Sequence, residues 1–105
     1  MKAMYRLKKN EDFAFTVKHG TVKKNFSYVT HTKTNDLGYA RIGISVSSKL
    51  GCAVIRNRIK RQIRAMVREI VEFSTNSSDI VIIAKSDFKN HSFEENKALL
   101  AKLIA

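Results

Sequence analysis

Proline and tryptophan are absent from this 105-residue chain, cysteine occurs once, and only four residues are glycine. Without proline there is no proline-rich spacer to divide the chain, and no repeat or low-complexity linker takes its place. Gly38, Gly43 and Gly51 stand far apart, so no glycine-rich phosphate loop can be assembled from them. The lone Cys52 forms no intrachain disulfide and lacks the companions a tetrahedral zinc site requires. Long apolar runs are missing as well: none approaches the roughly 20 residues that cross a bilayer. The opening, MKAMYRLKKNED, has no apolar signal region, so a cytoplasmic protein is expected. Acids are scarce, with nine Asp and Glu against 20 Lys and Arg, a net charge of +11 and a pI near 10.1. These few acids form no D-x-D or H-E-x-x-H arrangement. His19, His31 and His91 have no neighbouring nucleophile or acid that would suggest a triad. No catalytic residue and no metal ligand is therefore assigned.

What remains is apolar patterning and positive charge. At 44% hydrophobic residues, the chain has enough material for one folded domain spanning residues 1–105. Asn10 is placed to cap a first helix with Glu11 and Asp12 at its positive end, and Gly20 is placed to stop it. The segment 26–32 is rich in β-branched and aromatic residues and predicts a strand. After the turn TNDLG, residues 39–46 alternate, with Ala40, Ile42, Ile44 and Val46 on one side and Tyr39, Arg41, Gly43 and Ser45 on the other. These two segments predict an antiparallel hairpin, with a short extra strand near 22–24. The apolar run IVIIA (80–84) predicts a strand buried on both faces. Ser92-Phe93-Glu94-Glu95 fits a capping box opening a C-terminal helix, whose apolar stripe includes Leu99, Leu100, Leu103 and Ile104. The expected fold is an α/β (α+β) two-layer sandwich in the order α-β-β-β-α-β-α, with a mixed sheet.

Between these elements lies GCAVIRNRIKRQIRAMVREI (51–70), which carries Arg56, Arg58, Lys60, Arg61, Arg64 and Arg68 with no acid before Glu69. At about 100° per residue, Ile55, Ile59, Ile63, Met66, Val67 and Ile70 fall in one sector. Arg58, Arg61, Arg64 and Arg68 gather on roughly the opposite side, with Arg56 and Lys60 at the apolar edge. Like charges this dense destabilise an isolated helix, and no acid lies between Leu37 and Arg68 to pair with them. Such a helix is matched to a polyanion. Arginine's planar fork suits phosphate and stacked bases. The apolar side is needed for the core, which argues against a membrane-surface helix. RNA recognition uses aromatic platforms beside basic groups. Phe13 and Phe15 lie on different sides of the first helix, and Ser27, Val29, His31, Tyr39, Arg41 and Ser45 form a face too polar for a full core. A groove between that face and the first helix suits an extended RNA strand.

The stretch RIGISVSSKLGCAVIRNRIKRQIR, centred on Arg56-Asn57-Arg58, resembles the signature of the bacterial ribonuclease P protein subunit. RLKKNEDF (6–13) and DIVIIAK (79–85) resemble the same family in the same order, so the similarity covers essentially the whole chain. The resemblance implies an accessory subunit of the enzyme that removes the 5′ leader from precursor tRNA. The chemistry would belong to a ribonuclease P RNA with magnesium, and the protein itself would hold no cofactor. It implies that Arg56, Arg58, Lys60, Arg61, Arg64 and Arg68, with Lys49 ahead of the helix, meet the catalytic RNA. A cleft holding Phe13, Phe15, Val17 and His31, bordered by Arg56, Asn57 and Arg61, would take the leader. Neither membrane nor DNA is expected as a partner. It also implies a left-handed crossover between the second main strand and IVIIA, against the usual right-handed rule. Four positions depart from the family pattern: Val17 stands where a second cleft aromatic is usual, His31 replaces a tyrosine, Cys52 replaces an asparagine before the helix, and Ser48 replaces a basic residue. The alternative is a structural RNA-binding protein of the ribosomal type, which would share the size and charge.

Overall fold

Three helices and four strands make up a computed structural model that describes residues 2–104. Helix α1 spans Asn10–His19, and strands β1 (Thr21–Lys24), β2 (Tyr28–Thr34) and β3 (Arg41–Val46) follow. Helix α2 covers Ala53–Ile70, β4 covers Ser78–Ala84, and α3 covers Phe93–Ile104. Short 3-10 turns at Ala3–Tyr5, Ser48–Leu50 and Ser86–Asn90 complete the order. The sheet runs β1-β2-β4-β3, antiparallel except where β3 lies parallel to β4.

That order corrects the expected hairpin. β2 and β3 do not pair; β4 inserts between them, antiparallel to β2 and parallel to β3. The hairpin of the fold is β1–β2, with Val22 opposite His31. The insertion suits its composition. β4 is apolar on both faces, with Ile80 and Ile82 on one and Val81 on the other, and its central place gives both of its edges ladder partners. The turn at residues 34–38 therefore connects non-adjacent strands, and its Asn35 ties β4 in place by donating from Nδ2 to Asp79 Oδ1 at 2.9 Å.

The core lies on the face that carries α2 and α3. There Tyr28, Ile42, Val46, Ile80, Ile82 and Ala84 meet Ile59, Ile63, Met66 and Val67 of α2 and Leu100 of α3. Burial pushes the Tyr28 phenol well above its ordinary pKa, and its hydroxyl donates to the Asn96 carbonyl at 3.1 Å. α1 lies across the opposite face. Phe13 rests there on Gly43, where a Cβ would sit 2.9 Å from Phe13 Cδ2, so glycine is required for α1 to approach β3 this closely.

The helix ends differ in how they are capped. The capping box of α3 is formed: the Ser92 amide donates to Glu95 Oε1 at 2.8 Å, and the Glu95 amide donates to Ser92 Oγ at 3.2 Å. These bonds hold the Glu95 carboxyl below its ordinary pKa. Asn10 is the first residue of α1 rather than its cap; Lys9 precedes it without a side-chain bond, and Glu11 and Asp12 complement the dipole. Cys52 precedes α2, also without a side-chain cap. The strand expected from residue 26 starts at Tyr28, and Phe26 is 70% exposed.

Candidate nucleic-acid interface

α2 owes its place to a sharp entry. Leu50 is buried, Gly51 takes φ +138°, a backbone conformation that side chains disfavour, and the helix starts two residues later. Ile59, Ile63, Met66 and Val67 are its buried residues. Ile55, expected in that stripe, is 41% exposed and lies against Gly51 at the helix entry. Opposite the buried stripe, Arg58, Arg61 and Arg68 are exposed, and Arg56, Lys60 and Arg64 are half-buried along the margin. Lys49 and Asn57 are exposed beside them.

None of these seven cations forms an ion pair with a carboxylate among the described residues. Six of the nine acids are engaged elsewhere. Asp12 and Asp79 meet Arg41, Asp87 and Glu95 meet His91, and Glu69 and Glu94 meet Lys97. Glu69 is the only acid of α2, and it reaches across to α3 at 3.3 Å instead of back along its own helix. A ridge left uncompensated in this way keeps its whole field for an external anion.

The second feature is the strip of sheet beside α1. Register places Lys24, Val29, Ile83 and Ser45 in one row across β1, β2, β4 and β3, and Val22, His31, Val81 and Gly43 in the next. α1 covers part of the second row with Phe13, whereas Val29, Ile83 and Ser45 stay half-buried. Phe13 and Val17, four residues apart, share the sheet-facing side of α1, and both are half-buried. Phe15 lies elsewhere: it is 54% exposed and packs on His19 with ring centroids 4.5 Å apart, about 200° around the helix from Phe13. It therefore does not join the cleft expected to hold it. Ser27 is also removed from this face, because it is buried and donates to Asn96 Oδ1 at 2.7 Å. Tyr39 packs instead against Tyr5.

Among the described residues, two buried side-chain nitrogens lack a hydrogen-bond partner: Nδ1 of His31 and Nε of Arg56. Buried polar atoms are nearly always paired, and both belong to residues assigned to RNA contact from the sequence. Sequence reasoning missed Gly43 as the floor under Phe13, although a glycine inside an alternating strand signals close approach. It also missed Arg41 as an anchor. Its Nε and Nη2 donate to Asp79 Oδ1 and Oδ2 at 2.8 and 2.7 Å, and its Nη1 reaches Asp12 Oδ2 at 3.3 Å. That clamp joins β3, β4 and the first turn of α1, one residue before Phe13.

Among the described residues no group of three or more His, Cys, Asp or Glu is placed to hold a metal ion, and no helix is long and apolar enough to cross a membrane. An unpaired cationic ridge beside a partly apolar groove defines a small α+β protein built to bind a polyanion. The chain belongs to the ribonuclease P protein family: the family model described as Ribonuclease P matches residues 1–105. It is 42% identical over 105 residues to the ribonuclease P protein component of Mesoplasma florum, covering 99% of this chain and 96% of that protein. The Bacillus velezensis component is 45% identical over 108 residues, covering 99% and 90% of the two chains. The solved structure of the Staphylococcus aureus RNase P protein superposes with a TM-score of 0.83 at 36% identity, over 98% of this chain and 94% of that one. The Thermotoga maritima RNase P protein gives 0.82 at 29% identity, over 94% of each chain. These matches support the mixed fold and the ribonuclease P role, and they do not favour the ribosomal alternative.

Proposed function

We propose that this chain docks on a catalytic ribonuclease P RNA through α2 and holds the 5′ leader of precursor tRNA in the groove beside α1. The carrying observation is the ridge itself: six cations on one helix, none paired with an acid among the described residues. Each contact with a phosphate releases condensed counterions, which drives binding without any need for the protein to read sequence. Arg56, Arg58, Lys60, Arg61, Arg64 and Arg68, with Lys49, face the RNA subunit. Phe13, Val17 and His31, with Arg56, Asn57 and Arg61 at the border, meet the leader. Phe15 is left out of that set.

In this reading the protein positions and the RNA reacts. Strand scission with magnesium is assigned to the RNA subunit; among the described residues of this chain no three His, Cys, Asp or Glu are grouped as a ligand set. The assembled particle is a cytoplasmic ribonucleoprotein that needs neither membrane nor DNA. The half-buried ring of Phe13 supplies a stacking face, and such contacts are worth about 1–3 kcal/mol per base. Phe13→Ala is therefore expected to weaken binding of leader-bearing precursor tRNA to the reconstituted enzyme by about tenfold or more, with mature tRNA unaffected. Affinities measured over a series of leader lengths check this. Equal loss for mature tRNA would remove the leader groove from the account.

A further inference from the structure

Beside the ridge, on the outer edge of β3, lies a cup of about 150 Å³ whose rim carries four cations from two distant parts of the chain. Lys60 and Arg64 come from α2, and Arg6 and Lys8 come from the segment before α1. No acid lines it, and none of the four makes an ion pair among the described residues. Its floor is Leu7 and the Ile42–Ile44 segment of β3. We propose that this cup is a pocket for a single RNA phosphate, in which Arg6 and Lys8 complete a grip begun by Lys60 and Arg64.

The N-terminal residues are held there by the fold. Leu7 is buried, its amide donates to the Ile42 carbonyl at 2.9 Å, and Arg6 bridges Ile42 in parallel register. The segment thus extends the sheet beyond β3, and the side chains flanking Leu7 are brought to the margin of α2. Four like charges around so small a space repel one another unless an anion enters. The cup is open to solvent on one side, and its volume leaves room for a phosphate group and its nearest waters. The two arginines offer planar forks and the two lysines point charges, a combination suited to the oxygens of a phosphodiester. The apolar floor strengthens each of these bonds by keeping water from one side. Gly43 belongs both to this floor and to the surface under the Phe13 ring, so the cup and the groove share a wall. One phosphate held here sits next to the stacking position.

The inference rests on the RNA-docking role proposed above, and it adds Arg6 and Lys8 to the contact set. The phosphate belongs either to the catalytic RNA or to the leader backbone, and the two arms of the test separate these sources. R6Q/K8Q is compared with K2Q/K9Q, which removes the same charge from exposed positions outside the cup. All four side chains are exposed, and thermal melting verifies that both variants fold. In the free protein, titration with inorganic phosphate is expected to shift the Leu7 and Gly43 amide resonances in wild type and K2Q/K9Q, but not in R6Q/K8Q. This readout is independent of any ribonuclease P role. With RNA, R6Q/K8Q is expected to lose about tenfold more affinity than K2Q/K9Q, with a log–log salt slope shallower by about 1 to 2. Loss in substrate-free binding assigns the phosphate to the catalytic RNA, and loss confined to leader-bearing precursor assigns it to the leader. A phosphate response unchanged by R6Q/K8Q, or an RNA loss no greater than that of K2Q/K9Q, overturns the cup. A wild-type protein that takes phosphate yet ignores ribonuclease P RNA would overturn the docking role instead.

Discussion

Replacing Arg61 and Arg64 together with alanine is expected to weaken binding to ribonuclease P RNA by about a hundredfold or more at physiological salt. Each arginine can form charge-assisted bonds to phosphate worth about 1.5–3 kcal/mol, so two lost contacts reach that size even with partial compensation. The wild-type protein, with about six phosphate contacts, is expected to lose affinity with salt at a log–log slope of about −4 to −5. The double variant should be shallower by about 2. Stability should hardly change. Arg61 is exposed, Arg64 is half-buried, and neither is ion-paired among the described residues. Removing like charge from one helix face even relieves some repulsion. Filter-binding titrations across a salt series, paired with thermal melts, check both halves. Unchanged affinity would mean that another surface meets the RNA.

Arg41→Ala is expected to act in the opposite way, on the fold first and on RNA only as a consequence. Asp79 is 8% exposed, and Arg41 meets both of its oxygens; without Arg41 the carboxylate keeps only the Asn35 amide. Breaking a buried pair leaves a charge uncompensated. Discounted for the partial exposure of the guanidinium, the cost is about 2–4 kcal/mol. For a domain of this size that lowers Tm by on the order of 10 °C or more. Hydrogen bonds to Asp79 raise the pKa of Arg41 above its ordinary, already high value. Its contribution is therefore fully present below that ordinary value and is lost only as pH rises through the raised one. The destabilisation should be the same in mildly acidic and mildly alkaline buffer. Arg41→Ala with Asp79→Ala should recover part of the loss, because no buried charge then stands alone. A single variant as stable as wild type would show the clamp to be dispensable.

Much of this architecture was legible from residue patterns that depend on local chemistry. The helical period of residues 55–70, the Ser92–Glu95 capping box and the apolar run at 80–84 each carry their own signal, and each appears close to where the pattern puts it. Strand pairing was not legible. Alternation reports which face a strand buries, and it is silent on which neighbour it bonds; the apolar run of β4 marked a strand buried on both faces without showing that it lies between β2 and β3. The ridge could be read because its charges lie on one helix, whereas the cup could not, because Arg6 and Lys8 reach Lys60 and Arg64 only through the parallel bridge at Ile42. Phe15 shows the limit of reading by residue type. It is an aromatic on α1, as a stacking platform requires, yet helical geometry turns it to solvent. Ile55 shows another: its period is right, yet in the first turn of α2 it lies against Gly51 and stays exposed.

The division of labour between protein and RNA is tested most directly by reconstitution at low magnesium, with leader removal from precursor tRNA as the readout. Pure protein alone should release no leader, bacterial ribonuclease P RNA alone should release little, and the two together should cleave rapidly, with the stimulation fading as salt rises. Cleavage by the protein without RNA, or an RNA whose rate is unmoved by the protein, would contradict the account.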